Sequence, residues 1–168
     1  MAKKKQSTAE LIATGERSIA QNRKARHEYE ILEELECGIE LKGAEVKSLR
    51  EGKAQIQDAF GRIVNGEIFI FQMNIAKYEF TNGYGAFEAT RPRKLLAHRG
   101  EIDELTGKLQ QKSLTLVPLS LYFRGGKVKV KLAIAKGKKN YDKRRDLAEK
   151  DSKRDQQREI ASLRRNSY

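Results

Sequence analysis

The stretch "SLTLVPLSLYFRGGKVKVKLAIAKG", residues 113–137, reads as two strands joined at Gly125 and Gly126. In its second half Lys127, Lys129 and Lys131 alternate with Val128, Val130 and Leu132. A period of two turns one side of a strand to a core and the other to water, so these lysines are expected on the wet face. The first half is apolar almost throughout and contains Pro118. A proline has no N–H for the ladder, which marks an edge, a bulge or a strand end.

Working outward from this hairpin, "RKLLAHRGEIDELTGKLQQK" places Leu95, Leu96, Ile102, Leu105 and Leu109 at helical spacing. One helix is expected there, or two short ones broken at Gly100. Further back, "IQDAFGRIVNGEIFIFQMNI" holds two apolar runs about Asn65 and Gly66, both of which accept the positive φ of a type I′ hairpin turn. In "GAEVKSLREGK", Val46 and Leu49 lie three apart and Gly52 follows as a stop, a short helix. From Tyr29, alternation of Ile31, Leu35, Ile39 and Leu41 with acidic residues suits a half-solvated strand, although the early glutamates leave a helix open. Several short antiparallel strands with two or three small helices point to a mainly β fold, a small antiparallel barrel of the oligonucleotide-binding type.

The 168 residues carry 35 Lys and Arg against 23 Asp and Glu, a net charge of +12, with 38% hydrophobic content. One core fits that length, and the charge favours a polyanionic partner. The charge is segregated. Residues 1–27 hold seven basic residues against two acidic, and residues 136–168 hold twelve against six, while the middle is almost balanced. The organisation expected is a flexible basic arm over residues 1–21, an RNA-binding barrel over 22–135 and a basic tail over 136–168. The one cysteine, Cys37, has no intramolecular partner, and no apolar run is of spanning length, so a cytoplasmic protein is expected.

Catalysis finds little support. His27 and His98 are far apart and belong to no ligand-spaced cluster, so no metal and no cofactor are expected. Glu33, Glu34 and Glu36 read as an exposed strand face, and "GYG" lacks the lysine of a phosphate loop. The tail "YDKRRDLAEKDSKRDQQREIASLRR" has no Gly or Pro and is competent to form a helix, yet its few apolar residues cannot hold it on a core. It is expected to be disordered alone and helical when bound. Tyr141, within "GKKNYDKR", suits either stacking on an exposed base or packing the tail onto the barrel.

Four strings in order, "NRKARHEYEI" (22–31), "GIELKGAEVKSLREGKAQI" (38–56), "TRPRKLL" (90–96) and "KVKVKLAIAKGKKNYDKR" (127–144), resemble the SsrA-binding (small protein B) family of bacterial ribosome rescue. The resemblance spans roughly residues 20–146. It implies an oligonucleotide-binding barrel that binds the tRNA-like domain of transfer-messenger RNA and enters the A site of a stalled ribosome for trans-translation. It implies a monomer in a 1:1 complex with the RNA, with elongation factor Tu and alanyl-tRNA synthetase reached through that RNA.

Carried over residue by residue, the resemblance implies that Asn22, Arg23, Lys24, Arg26, His27, Glu36 and Leu96 lie near the tRNA-like domain. It implies that Lys138, Lys139, Tyr141, Asp142, Lys143, Arg144 and Ile160 address the decoding centre and the vacant messenger channel of the small subunit. The alternative kept beside it is a sequence-tolerant single-stranded RNA- or DNA-binding protein, or a ribosomal protein, on the same fold.

Overall fold

The computed structural model describes residues 16–80, 86–110 and 113–165. In chain order its elements are β1 (Arg17–Gln21), α1 (Ala25–Glu28), β2 (Tyr29–Ile39), α2 (Gly43–Arg50), β3 (Ala54–Gln55), β4 (Phe60–Val64), β5 (Glu67–Phe71), β6 (Asn74–Ile75), β7 (Arg93–Leu96), α3 (Arg99–Leu109), β8 (Leu114–Arg124), β9 (Lys127–Gly137) and α4 (Asn140–Arg165). All pairings of the large sheet are antiparallel, in the order β1-β8-β4-β5-β7-β2-β9, and β9 pairs back onto β8. Six strands thereby close into a barrel, with β1 laid along part of the β8 edge. Strands β3 and β6 form a separate two-stranded ribbon.

Both hairpins stand where the turn residues put them. Asn65 and Gly66 have φ of 51° and 73°, and Gly125 and Gly126 have φ of 57° and 74°. The lysines of β9 do face outward: Val128, Val130, Leu132 and Ile134 join the interior cluster, while Lys127 is exposed and Lys129 and Lys131 are half-buried.

Strand β8 reads as a continuous apolar run because it is covered on both faces. Leu116 and Leu121 point into the barrel; Val117 and Leu119 pack outside with Ala133, Ala135 and Ala25 of α1. The register shift between Pro118 and Ser120 is a bulge, one of the three roles a proline could have here. Beyond it the outward set becomes even-numbered, which turns Tyr122 and Arg124 to the outer face. Closure between β4 and β8 rests on the single pair Gly61↔Leu116. A Cβ on Gly61 would lie 2.8 Å from the Leu116 Cβ, so only a bare backbone admits this approach.

Two expectations need correction. The helix expected over residues 93–112 begins only at Arg99; Arg93–Leu96 is a strand, because β5 and β2 each offer it an edge and cross-strand pairing outweighs the helical spacing of Leu95 and Leu96. The arm expected to run flexibly to residue 21 ends earlier, since Ala20 and Gln21 lie opposite Leu121 and Ser120. Residues 1–15 of that arm lie outside the described residues. The tail takes the helical form its composition allows, over Asn140–Arg165, in keeping with its lack of Gly and Pro.

Candidate nucleic-acid interface

The residues that the resemblance implies for the RNA fall in two places, the turn and short helix around α1 and a groove beside β7 and β9. Asn22 is buried: its Oδ1 accepts the Ala25 amide at 3.1 Å, and its Nδ2 reaches the carbonyls of Ile56 and Gln57 at 3.5 Å each. Its amide shapes the turn into α1, which leaves Arg23 and Lys24 exposed at that turn. Arg26 is exposed and donates to Glu34 at 3.1 Å, and His27 is half-buried beside it.

Glu36 and Leu96, sixty residues apart, line one open groove together with His98, Gly126, Lys127 and Lys129. Leu96 is 50% exposed. It lies opposite Gly38, where a Cβ would approach the Leu96 Cβ to 3.2 Å, so the groove floor there is backbone. Glu36 is held from two sides: the Tyr122 hydroxyl and the Arg124 Nη1, the latter at 2.9 Å, both donate to its Oε2. Arg124 also faces Glu16 at 3.4 Å.

Hydrogen bonding from Tyr122 is the main cause that holds the Glu36 carboxyl below its ordinary range, against the opposing effect of burial and with help from Arg124 and Lys129. Burial, and then the Glu36 carboxylate, push the Tyr122 phenol upward, so it remains a donor.

The two places are continuous. Lys131 lies across the ladder from Glu36 and 4.0 Å from Glu34, which also receives Arg26. From α1 the outer face therefore runs through Arg26, Lys131, Lys129 and Lys127 to the groove. A strip of cations along one sheet face is suited to following a phosphate backbone.

Tyr122, Arg124 and His98 were missed by sequence reasoning. Tyr122 could not have been found by alternation, because only the bulge turns it outward. The lysines of β9 were visible as a wet face, although nothing local placed Glu36 beside them.

The tail set is arranged differently. The Lys138 amide donates to the Glu28 carbonyl at 2.9 Å, and its ammonium reaches the Arg26 carbonyl at 3.2 Å and the Asp146 carboxylate. Lys138 thus ties the base of α4 to α1. Lys139 and Arg144 are exposed, and Asp142 and Lys143 are half-buried. Tyr141 is 75% exposed and Ile160 53%, so the packing alternative for Tyr141 is not what the fold adopts.

Among the described residues no group of three or more His, Cys, Asp or Glu could hold a metal ion, and no helix is long and apolar enough to cross a membrane. Cys37 is buried in the barrel, which pushes its thiol up to about 12 and leaves it unreactive.

A closed barrel with a cationic outer strip, an open groove on that strip and a projecting basic helix defines a nucleic-acid-binding barrel protein. A family model described as SmpB protein matches residues 19–162. The chain belongs to the SmpB family.

It is 55% identical over 146 residues to the SsrA-binding protein of Desulforudis audaxviator, covering 87% of this chain and 92% of that one. It is 53% identical over 139 residues to the SsrA-binding protein of Acetivibrio thermocellus, covering 83% and 90%. A solved structure described as "tmRNA-SmpB: a journey to the center of the bacterial ribosome" matches with a TM-score of 0.60 at 50% identity, covering 72% of this chain and 85% of that chain.

Proposed function

We propose that this chain binds the tRNA-like domain of transfer-messenger RNA and brings it to the A site of stalled ribosomes for trans-translation. The observation that carries this reading is the division of the molecule: the barrel gathers Arg26, Glu36, Leu96 and the β9 lysines on one face, while the basic helix α4 is tied to α1 at its base through Lys138. Family membership and the likeness to a ribosome-bound relative support it.

The strip supplies phosphate contacts that position the RNA without reading it, and the groove supplies the contacts that distinguish it. Helix α4 has 26 residues and so extends about 39 Å, long enough to enter a channel while the barrel stays on the RNA. Tyr141, Lys139 and Arg144 at its start address the decoding centre, and Ile160 reaches into the messenger channel. A channel filled with messenger excludes the helix by sterics, which restricts the reaction to ribosomes whose channel is empty. Elongation factor Tu and alanyl-tRNA synthetase act through the RNA. The chain has no catalytic step of its own in this scheme, and it works in the cytoplasm as a monomer on one RNA.

The test compares the full chain with a version ending at Lys139, binding a tRNA-like-domain RNA and an unrelated RNA of equal length at physiological salt. This end point keeps β9 and the Lys138 contacts to the Glu28 and Arg26 carbonyls, and gives up only its pairing with Asp146. Selective binding by both, with tagging of stalled peptides lost only in the shortened chain, is the expected result. Equal affinity for the two RNAs would favour the sequence-tolerant binder instead.

A further inference from the structure

Glu36 presents a puzzle to any RNA-binding reading, since a carboxylate repels phosphate. Its surroundings resolve it. Tyr122 and Arg124 both donate to Oε2, and no described residue takes a hydrogen bond to Oε1. The three groups come from β2 and β8 across the intervening β9, where Tyr122 lies opposite Lys129 and Glu36 opposite Lys131. The carboxylate is therefore fixed by one oxygen and open at the other, in a groove whose remaining polar side chains are His98, Lys127, Lys129 and Glu101.

We propose, resting on the function given above, that Tyr122 and Arg124 are positioning residues for RNA recognition: by holding Oε2 they aim Oε1 as an acceptor at a base amino, base imino or ribose 2′-hydroxyl group of the tRNA-like domain. An ionised carboxylate accepts only, so its RNA partner must be a donor, and phosphate is excluded. Arg124 offsets the negative charge locally, and Lys127 and Lys129 remain for the flanking phosphates. Without the clamp Glu36 is a free rotor on the strand face, and its ordering cost falls on the binding step.

The full chain is compared with Tyr122→Phe and Arg124→Gln, each also in a Glu36→Ala background, for affinity to the tRNA-like-domain RNA and to an unrelated RNA of equal length. Thermal unfolding of every variant is followed in parallel. Expected is a loss of about five- to twentyfold in affinity for the tRNA-like RNA from Tyr122→Phe, no change toward the unrelated RNA, and no further loss when it is added to Glu36→Ala. Arg124 is half-exposed, so Arg124→Gln keeps the test open should Tyr122→Phe fold poorly.

Wild-type affinity in both single variants, or a loss that persists undiminished without Glu36, overturns the positioning role while leaving the functional reading intact. Absence of selectivity in the wild-type chain itself overturns the functional reading, and this inference with it.

Discussion

The Glu45 carboxylate and the Arg93 guanidinium, each wholly shielded from solvent, face one another at 2.8 Å between α2 and β7. Glu45 also receives Arg91 at 2.6 and 2.9 Å and the Lys42 amide at 2.7 Å. Arg93 uses its other nitrogens on the carbonyls of Met73, Arg91 and Ala89 at 2.6–3.1 Å. Helix α2, strand β7 and the segment around residue 89 are thus joined by one satisfied polar network. No buried side-chain nitrogen or oxygen among the described residues lacks a partner.

Removing one member leaves the other as an uncompensated buried charge. Glu45→Ala is expected to lower stability by about 3–5 kcal/mol, read as a fall in the unfolding midpoint in urea with the slope unchanged. Arg91→Ala removes a partly exposed partner and should cost less than half of that.

The same network makes stability depend on acid. Burial favours the neutral form of Glu45, but the bonds from Arg91, Lys42 and Arg93 outweigh it and hold the carboxyl below its ordinary 4.5. A carboxyl lowered by folding contributes stability that is complete above its unfolded value and fades as pH falls through the folded one. Unfolding free energy is therefore expected to drop below about pH 4.5. Glu45→Gln should be less stable at pH 7 and flatter between pH 5 and 3, measured by urea titration.

Gly61 is the hinge of barrel closure. Because its Cβ would press on the Leu116 Cβ, Gly61→Ala is expected to cost about 1–3 kcal/mol by overpacking. Gly43→Ala, at a site with open space, serves as the control and should leave the thermal midpoint unchanged or raise it slightly.

Tyr141 is far from any core. Tyr141→Ala should change stability by less than about 0.5 kcal/mol and leave RNA binding intact. Tagging of stalled peptides in a reconstituted translation system is expected to fall sharply. Equal tagging by the variant would remove Tyr141 from the decoding step.

The β9 lysines should act as phosphate contacts. Lys127→Ala and Lys129→Ala are each expected to reduce the slope of log affinity against log salt by about one, for the tRNA-like RNA. Filter binding over a salt series measures this directly.

Much of the barrel was visible in the chain because its signals are local. The Asn65–Gly66 and Gly125–Gly126 turns require positive φ, and the alternation in β9 needs only neighbouring residues to declare its two faces. The segregation of basic charge into the ends was equally plain, whereas only the fold decided between stacking and packing for Tyr141, which it leaves exposed. The strand state of Arg93–Leu96 was not visible. Its leucines have helical spacing, and pairing on two edges, which no local pattern records, outweighed it.

The candidate site divides in the same way. Its cationic strip follows from the lysines of one strand, whereas its groove is a meeting of distant residues. Tyr122 reaches Glu36 across 86 positions of chain, and Arg93 reaches Glu45 across 48. Turn chemistry, strand period and charge distribution are short-range properties written in consecutive residues. Burial of an ion pair, the outward turn of Tyr122 at a bulge and the joining of Glu36 to Leu96 depend on which strands close the barrel and in what register, and so arise only from the fold as a whole.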